Sequence, residues 1–452
     1  MTERSHTMKP CLKTLTFLFA GLVFIAGTGG IMPAFADSTD TVAQIDSGRT
    51  AWMLVSSALV LLMIPGLALF YAGMVRQKNM LNTILMSFIA MSVIGVEWIL
   101  VGYNMVFGTS IGGLFGWSAD GFALQNITWD SATNGVPTLV YVMFFGKFAI
   151  ITPALISGAV VERMKFSAYV LFILLWSILV YNPLAHMVWG PGGWLLEKGV
   201  LDFAGGTVVH ISSGFSALVL AWLFLKKRIG YPEDQMRPGS LFQTLLGAGL
   251  LWVGWFGFNA GSAIATSDDF MLRAGLAFTN TQIAASVAGL VWISIEYALH
   301  RKPTSIGLAS GMVAGLVGIT PGAGHVSPLA ALIIGAVAAV VCFAAVIVKR
   351  RFSYDDALDV FGVHGIGGLW GALATGLFAS VGTGHIGLFS GGDTTQFLLQ
   401  LLGAITGIVY AIAGTVLIAF FVNKIIGLRV SLKQETLGLD LTQHGESSLT
   451  RI

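Results

Sequence analysis

The sequence predicts an all-α polytopic membrane protein of eleven transmembrane helices, built as two inverted five-helix repeats plus a final helix. Three observations predict it. Of 452 residues, 55% are hydrophobic and only 10% are charged, against about 25% charged in an ordinary soluble domain. Lys and Arg crowd alternate loops, as they do on one side of a membrane. An Asp followed eight residues later by a His occurs in each half, as Asp202…His210 and Asp356…His364.

The chain opens like a secretory signal. Arg4, Lys9 and Lys13 precede the apolar run from Leu15 to Ala26, and Ala34-Phe35-Ala36 fits a cleavage site before Asp37. Residues 1–36 are therefore expected to be removed; the alternative is an uncleaved first helix, for which the run is short against the ~20 residues of a span. After cleavage Cys342 stands alone, so no intramolecular disulfide and no metal-type Cys spacing is expected.

Apolar segments then run near 52–74, 80–107, 137–160, 167–186, 205–224, 241–262, 274–298, 305–322, 328–347, 359–380 and 396–423. They define a transmembrane domain over 45–426 and a cytoplasmic tail over 427–452. The abundance of Gly, 57 residues, suits helices that pack closely through small side chains. One set of loops carries Arg76 and Lys78, Arg163 and Lys165, Lys226 to Arg228, Arg301 and Lys302, and Lys349 to Arg351. The opposite set carries Arg49, Lys198 and Arg273. This pattern places the mature N-terminus outside and the tail in the cytoplasm.

Helices 1–5 start from outside and helices 6–10 from the cytoplasm, which is the signature of an inverted repeat with its site near the midplane. Eight helical residues rise about 12 Å. Two such depths from opposite faces use ~24 Å of a ~30 Å hydrocarbon core. His210 and His364 are thus expected at similar depth, close enough to be neighbours. Ionisable groups inside a bilayer are costly and usually mark a transport or proton path. Two imidazoles in contact can share a hydrogen bond, present nitrogens to a small polar solute or relay a proton; singly, each could equally be a packing residue. Two ligands are too few for a structural zinc site, so no cofactor or metal is expected. No nucleophile–base pair appears either, which argues against an enzyme, and the formal charge of +2 gives no sign of nucleic-acid binding.

Asp202 and Asp356 stand at helix starts, where a carboxylate satisfies exposed N–H groups; Asp202 could also attract cations from outside. Asp359 is expected to be the more buried acid near His364. Aromatics cluster toward the outer side: Phe144, Phe145 and Phe148 in helix 3, Trp189 in a tight turn before helix 5, and Phe256 and Phe258 in helix 6. With the hydroxyl of Ser262 such a face could hold a small cation. Lys147 either snorkels to the interface or places a charge at the pore.

At these motifs the sequence resembles the ammonium transporter family (the Amt, Mep and Rh proteins), above all its bacterial Amt branch. The motifs are Gly158-Ala-Val-Val-Glu-Arg-Met-Lys-Phe-Ser, Ala185-His-Met-Val-Trp-Gly, Asp202-Phe-Ala-Gly-Gly-Thr-Val-Val-His, Trp255-Phe-Gly-Phe-Asn-Ala-Gly-Ser and Asp359-Val-Phe-Gly-Val-His-Gly. The resemblance implies an outer ammonium site at Phe148, Trp189 and Ser262, beside Phe144, and a gate of Phe148 on Phe258. It implies His210 and His364 as a twin-His pair lining the pore, and Asp202 as a structural or recruiting acid. It implies a homotrimer with a pore through each subunit, in the bacterial inner membrane, and a PII-type signalling protein on the cytoplasmic face. Arg228 to Arg237 and the tail from Arg429 would form that contact. Phe145, where many relatives carry Gln, and Lys147 depart from the family pattern. Two other readings remain: an ammonium sensor signalling through its tail, and an Rh-like neutral gas channel, which the Trp189 and Ser262 match disfavours.

Overall fold

The computed structural model describes residues 45–447 apart from 233–235, 266–268, 353, 383 and 385. The expected signal segment, 1–36, lies outside the described residues. Among the described residues eleven helical spans are long and apolar enough to cross a membrane. They are α1 (Ser47–Met74), α2 (Gln77–Phe107), α3 (Thr138–Val160), α4 (Phe166–Glu197), α5 (Gly206–Phe224), α6 (Leu241–Ala265), α7 (Phe270–His300), α8 (Ser305–Gly322), α9 (Pro328–Phe352), α10 (Phe361–Phe378) and α11 (Thr395–Ile425). Two short antiparallel hairpins, Ser110–Ile111 with Phe115–Gly116 and Ala132–Thr133 with Val136–Pro137, fill the α2–α3 connection.

Local chemistry sets several helix starts. Asp46 caps α1 through the Arg49 amide, Ser240 caps α6 through Gln243, and Thr304 caps α8 through Gly307. The segments depart from the expected bounds mainly in α4. Its α-helix continues through Asn182–Trp189 before the turn at Gly190. Trp189 is therefore the last residue of a helix rather than part of a tight turn, and the chain bends only after it.

The central helices α3 and α5 are more buried than α7, α9 and α11, whose apolar faces point outward. That division fits a bundle whose middle is protein and whose rim is lipid. α1 packs along α6, and α5 meets α10 near the centre. Both α5 and α10 open in a π-helical turn, Gly206–Ile211 and Phe361–Gly365. Such turns are rare and often sit at functional sites.

The loops rich in Lys and Arg gather at one end of the bundle around a buried ionic cluster. Arg228 Nη1 stands 2.6 Å from Glu162 Oε2 and its Nη2 2.8 Å from Asp355 Oδ1; Arg76 Nε is 2.8 Å from Glu162 Oε1. Burial alone would raise the Glu162 carboxyl, but Arg228 and Arg76 outweigh it and hold it below the usual range. Burial likewise opposes Arg163 and Arg228 at Asp355, and the guanidinium groups win, holding Asp355 at about 2. The tail closes over this end. A short helix, α12 (Leu432–Leu437), begins in a capping box of Ser431 and Gln434. Glu435 accepts from the Ile229 amide at 2.6 Å, and Asp440 accepts from the amides of Leu81 and Asn82. Arg429 donates to the carbonyls of Lys226 and Lys227.

Candidate functional site

Asp202 opens the site. Its Oδ1 accepts from the amides of Gly205 and Gly206 at 2.8 and 2.6 Å, and its Oδ2 from Thr207 and Val208 at 2.8 and 3.1 Å. One carboxylate thus satisfies four amides at the start of α5. Gly205 makes the turn possible: its φ of +111° is open to glycine and strained for other residues. Burial raises the Asp202 carboxyl, partly offset by these amides.

Asp356 repeats the arrangement more weakly, its Oδ2 accepting from the Phe361 amide at 2.7 Å. Burial pushes its carboxyl up to about 6, against the pull of Lys349. The expected order of burial of the two acids is reversed. Asp356 is 0% exposed, whereas the Asp359 side chain is 31% exposed and pairs with Lys349 Nζ at 2.5 Å. Asp359 sits at φ +60°, which redirects the chain so that Asp356 turns into the helix start.

The two π-turns bring the histidines together. The rings of His210 and His364 lie at 19° with centroids 5.2 Å apart, and their Nδ1 atoms are 3.2 Å apart. One Nδ1 donates to the other. The close approach depends on glycines that the sequence reading did not single out. A Cβ on Gly368 would come within 2.8 Å of the His210 Cβ, and one on Gly214 within 2.2 Å of the Gly365 amide nitrogen. The imidazoles border a cavity of about 10 Å³ whose other walls include Leu67, Ile151, Leu251, Trp255, Phe258 and Val313. That is roughly the space of one water molecule. His210 Nε2 is buried with no hydrogen-bond partner.

Trp255 is a further residue whose place the sequence reading did not reveal. Its indole stacks on the His210 ring, centroids 5.4 Å apart at 18°, and leans on Phe258 at 5.5 Å. The signal was present: Trp255 lies one turn before Phe258 on α6, on the same face.

Phe258 stacks on Phe148 at 4.1 Å and 23°. Both rings are 0% exposed, so the pair closes the space above the histidine cavity. Beyond it lies an outer cavity of about 350 Å³ lined by Tyr141, Phe145, Trp189, Asp202, Ser262 and His325, among others. The Phe148 ring meets Trp189 edge-on at 6.0 Å. Trp189 Nε1 donates to the Asp202 carbonyl at 2.8 Å, and Ser262 Oγ to the Phe258 carbonyl at 2.8 Å. Of the phenylalanines in α3, Phe145 faces this cavity. Phe144 is fully buried behind it against Phe148 and Gly261. Lys147 is half-buried and lines neither cavity. His325 Nδ1 lies 3.0 Å from Arg273 Nη1, and burial together with that cation pushes the imidazole down to about 4.

On the other side of the histidines, Phe70, Val313 and His364 also border an inner cavity of about 180 Å³ that reaches Glu296, Thr304 and Asp359. Among the described residues no group of three or more His, Cys, Asp or Glu could hold a metal.

Outer cavity, stacked phenylalanines, paired imidazoles and inner cavity thus follow one another through a helical bundle. Residues 51–449 match the model of the Ammonium Transporter Family. The chain belongs to the ammonium transporter family. It is 46% identical to the ammonium transporter of Aquifex aeolicus, over 94% of this chain and 99% of that protein. It is 46% identical to the ammonium transporter of Bacillus subtilis, over 89% of this chain and 98% of that one. Among solved structures it is similar to Saccharomyces cerevisiae Mep2, with a TM-score of 0.80 and 33% identity over 89% of this chain and 94% of that one. A sensor Amt protein is similar at a TM-score of 0.80 and 28% identity, covering 88% and 98%. The fold is that of the ammonium transporters, and the activity is ammonium transport rather than an enzymatic reaction.

Proposed function

We propose that ammonium is collected in the outer cavity and crosses as ammonia past His210 and His364. The observation that carries this reading is the imidazole pair, Nδ1 to Nδ1 at 3.2 Å, on a cavity of about 10 Å³ with almost wholly apolar walls. Trp189 and Phe145 supply π faces for a cation at the entrance, Ser262 supplies an oxygen, and Phe148 closes the floor. Phe148 and Phe258 must part for anything to pass. Beyond them an alkali cation would lose its hydration shell and recover little. Ammonium has another course: it gives up a proton to water in the outer cavity and continues as a neutral molecule that fits the histidine cavity. With one Nδ1 donating to the other, the two Nε2 atoms leave it one acceptor and one donor between them. Asp202 acts mainly by holding the start of α5, since its four amide partners leave little capacity for a cation.

The end that carries the basic loops and the tail is read as cytoplasmic. This puts the outer cavity outside, in a bacterial inner membrane, with residues 1–36 removed as a signal. Assembly as a homotrimer with one pore per subunit is part of the same reading. So is a PII-type partner on the surface formed by Arg237 and the tail from Arg429; Arg228, expected there from the sequence, is instead buried in the ionic cluster. The sensor reading keeps one point in its favour, the similarity to a sensor Amt protein.

An ammonium jump on proteoliposomes of purified protein, read as solid-supported-membrane current and as internal ammonium, tests these statements together. Selective ammonium uptake with no potassium uptake supports the conduction reading, and a current shows that charge moves with it. Substrate binding without uptake would favour the sensor.

A further inference from the structure

Trp255 forms one wall of the histidine cavity, and its orientation is fixed from behind by a buried polar chain. Its indole Nε1 donates to Thr320 Oγ1 on α8 at 2.9 Å. The Thr320 hydroxyl has its own acceptors in the Leu316 carbonyl at 2.8 Å and Asn259 Oδ1 at 3.3 Å. Asn259 lies one turn after Trp255 on α6, and its Nδ2 donates to Thr281 Oγ1 at 2.9 Å, whose proton goes to the Ala277 carbonyl. Thr320, Asn259 and Thr281 are each 0% exposed. The chain therefore cannot exchange partners with solvent, and each donor has a protein acceptor.

The same stretch also reaches the histidine helix. Pro321, next to Thr320, accepts from the Phe203 amide at 3.0 Å. A Cβ on Gly206 would stand 2.5 Å from the Pro321 Cβ. Thr320 and Pro321 thus seat the indole on one side and the start of α5 on the other. The indole is the surface on which His210 stacks and against which Phe258 leans.

We propose that Thr320 is a positioning residue for Trp255 and thereby sets the size limit of the histidine cavity, discriminating ammonia from methylated amines. This rests on the conduction reading above. An added methyl group is crowded in a cavity of about 10 Å³, so the discrimination depends on keeping the indole wall where it is. Without the Thr320 hydroxyl the buried indole N–H loses its acceptor, and the ring gains by turning toward another. Any such turn moves a cavity wall.

The test is the ratio of methylammonium to ammonium uptake in proteoliposomes carrying wild type, Thr320→Val, Thr320→Ser, Trp255→Phe and Trp255→Phe with Thr320→Val. Thr320→Val, which keeps the shape, should raise the ratio about fivefold, within the discrimination that one methyl group can supply. Thr320→Ser should keep the wild-type ratio. On the Trp255→Phe background, which has no indole N–H, Thr320→Val should add nothing. A Thr320→Val ratio equal to wild type overturns the proposal, as does an equal effect of Thr320→Val on both backgrounds. A wild type with no ammonium uptake would instead fail the conduction reading itself, and this proposal with it.

Discussion

Gly214 on α5 and Gly365 on α10 cross backbone against backbone: a Cβ on the first would lie 2.2 Å from the amide nitrogen of the second. This crossing allows the two π-turns to bring His210 and His364 into contact. Gly214→Ala should push the helices apart, at a cost of about 1–3 kcal/mol for an overpacked contact. Ammonium uptake should fall with it. A thermal scan in detergent and an uptake assay check both effects; an unchanged midpoint and rate would show that the crossing tolerates a methyl group.

Asp202 separates two explanations of one acid. If it works through the four amides at the start of α5, Asp202→Glu should fail almost as badly as Asp202→Ala, because the longer side chain misplaces the carboxylate. Each should cost about 2 kcal/mol or more, at the upper end of a lost helix cap. If attraction of cations dominated, Glu would retain uptake. Uptake rates and melting midpoints of the two variants decide the matter.

The aromatic residues of α3 should divide in the same way. Phe145 lines the outer cavity, whereas Phe144 packs behind it with no exposure. Phe145→Gln should shift the ammonium concentration for half-maximal uptake while leaving the melting midpoint near wild type. Phe144→Ala should lower stability by about 3–5 kcal/mol, as for other buried aromatics. An uptake titration beside a thermal scan shows whether the roles are divided this way or reversed.

Most of the fold could be read from composition, because an apolar span and a basic loop are statements about solvent that tertiary packing does not alter. The Asp-to-His spacing survives into the structure for a related reason: it is a local count along one helix start. What stayed hidden depends on how helices cross. Gly214, Gly365 and Gly368 look like any of the 57 glycines until their neighbours are known. Asp359 appeared the more buried acid because it is nearer to His364 in sequence, yet its positive φ hands that place to Asp356. Which of two adjacent phenylalanines faces the cavity depends on the rotation of α3, which an almost uniformly apolar helix does not display. The Thr320 link to Trp255 joins residues 65 apart in sequence, with no pattern to announce it.

The ionic cluster under the tail should dominate stability at that end. Arg228→Met would leave Glu162 and Asp355 buried without their strongest partner, at about 3–5 kcal/mol. Acid should act on the same cluster. In the folded protein the Asp355 carboxyl is held at about 2, below the 3.8 of a free aspartate. Its contribution is therefore complete above pH 3.8 and is lost as pH falls toward 2. Melting midpoints from pH 5 to pH 2 should fall across that window in wild type and fall less in Asp355→Asn. Equal slopes in the two proteins would assign the acid sensitivity elsewhere.

Passage of ammonia between the imidazoles is decided by comparing two proteins. Ammonium and potassium uptake are measured side by side in proteoliposomes of wild type and of His210→Ala. Wild type should show selective ammonium uptake, and the variant either loss of uptake or entry of potassium. Equal rates and equal exclusion of potassium in the two proteins would reduce the histidine pair to packing and rule out conduction between the rings.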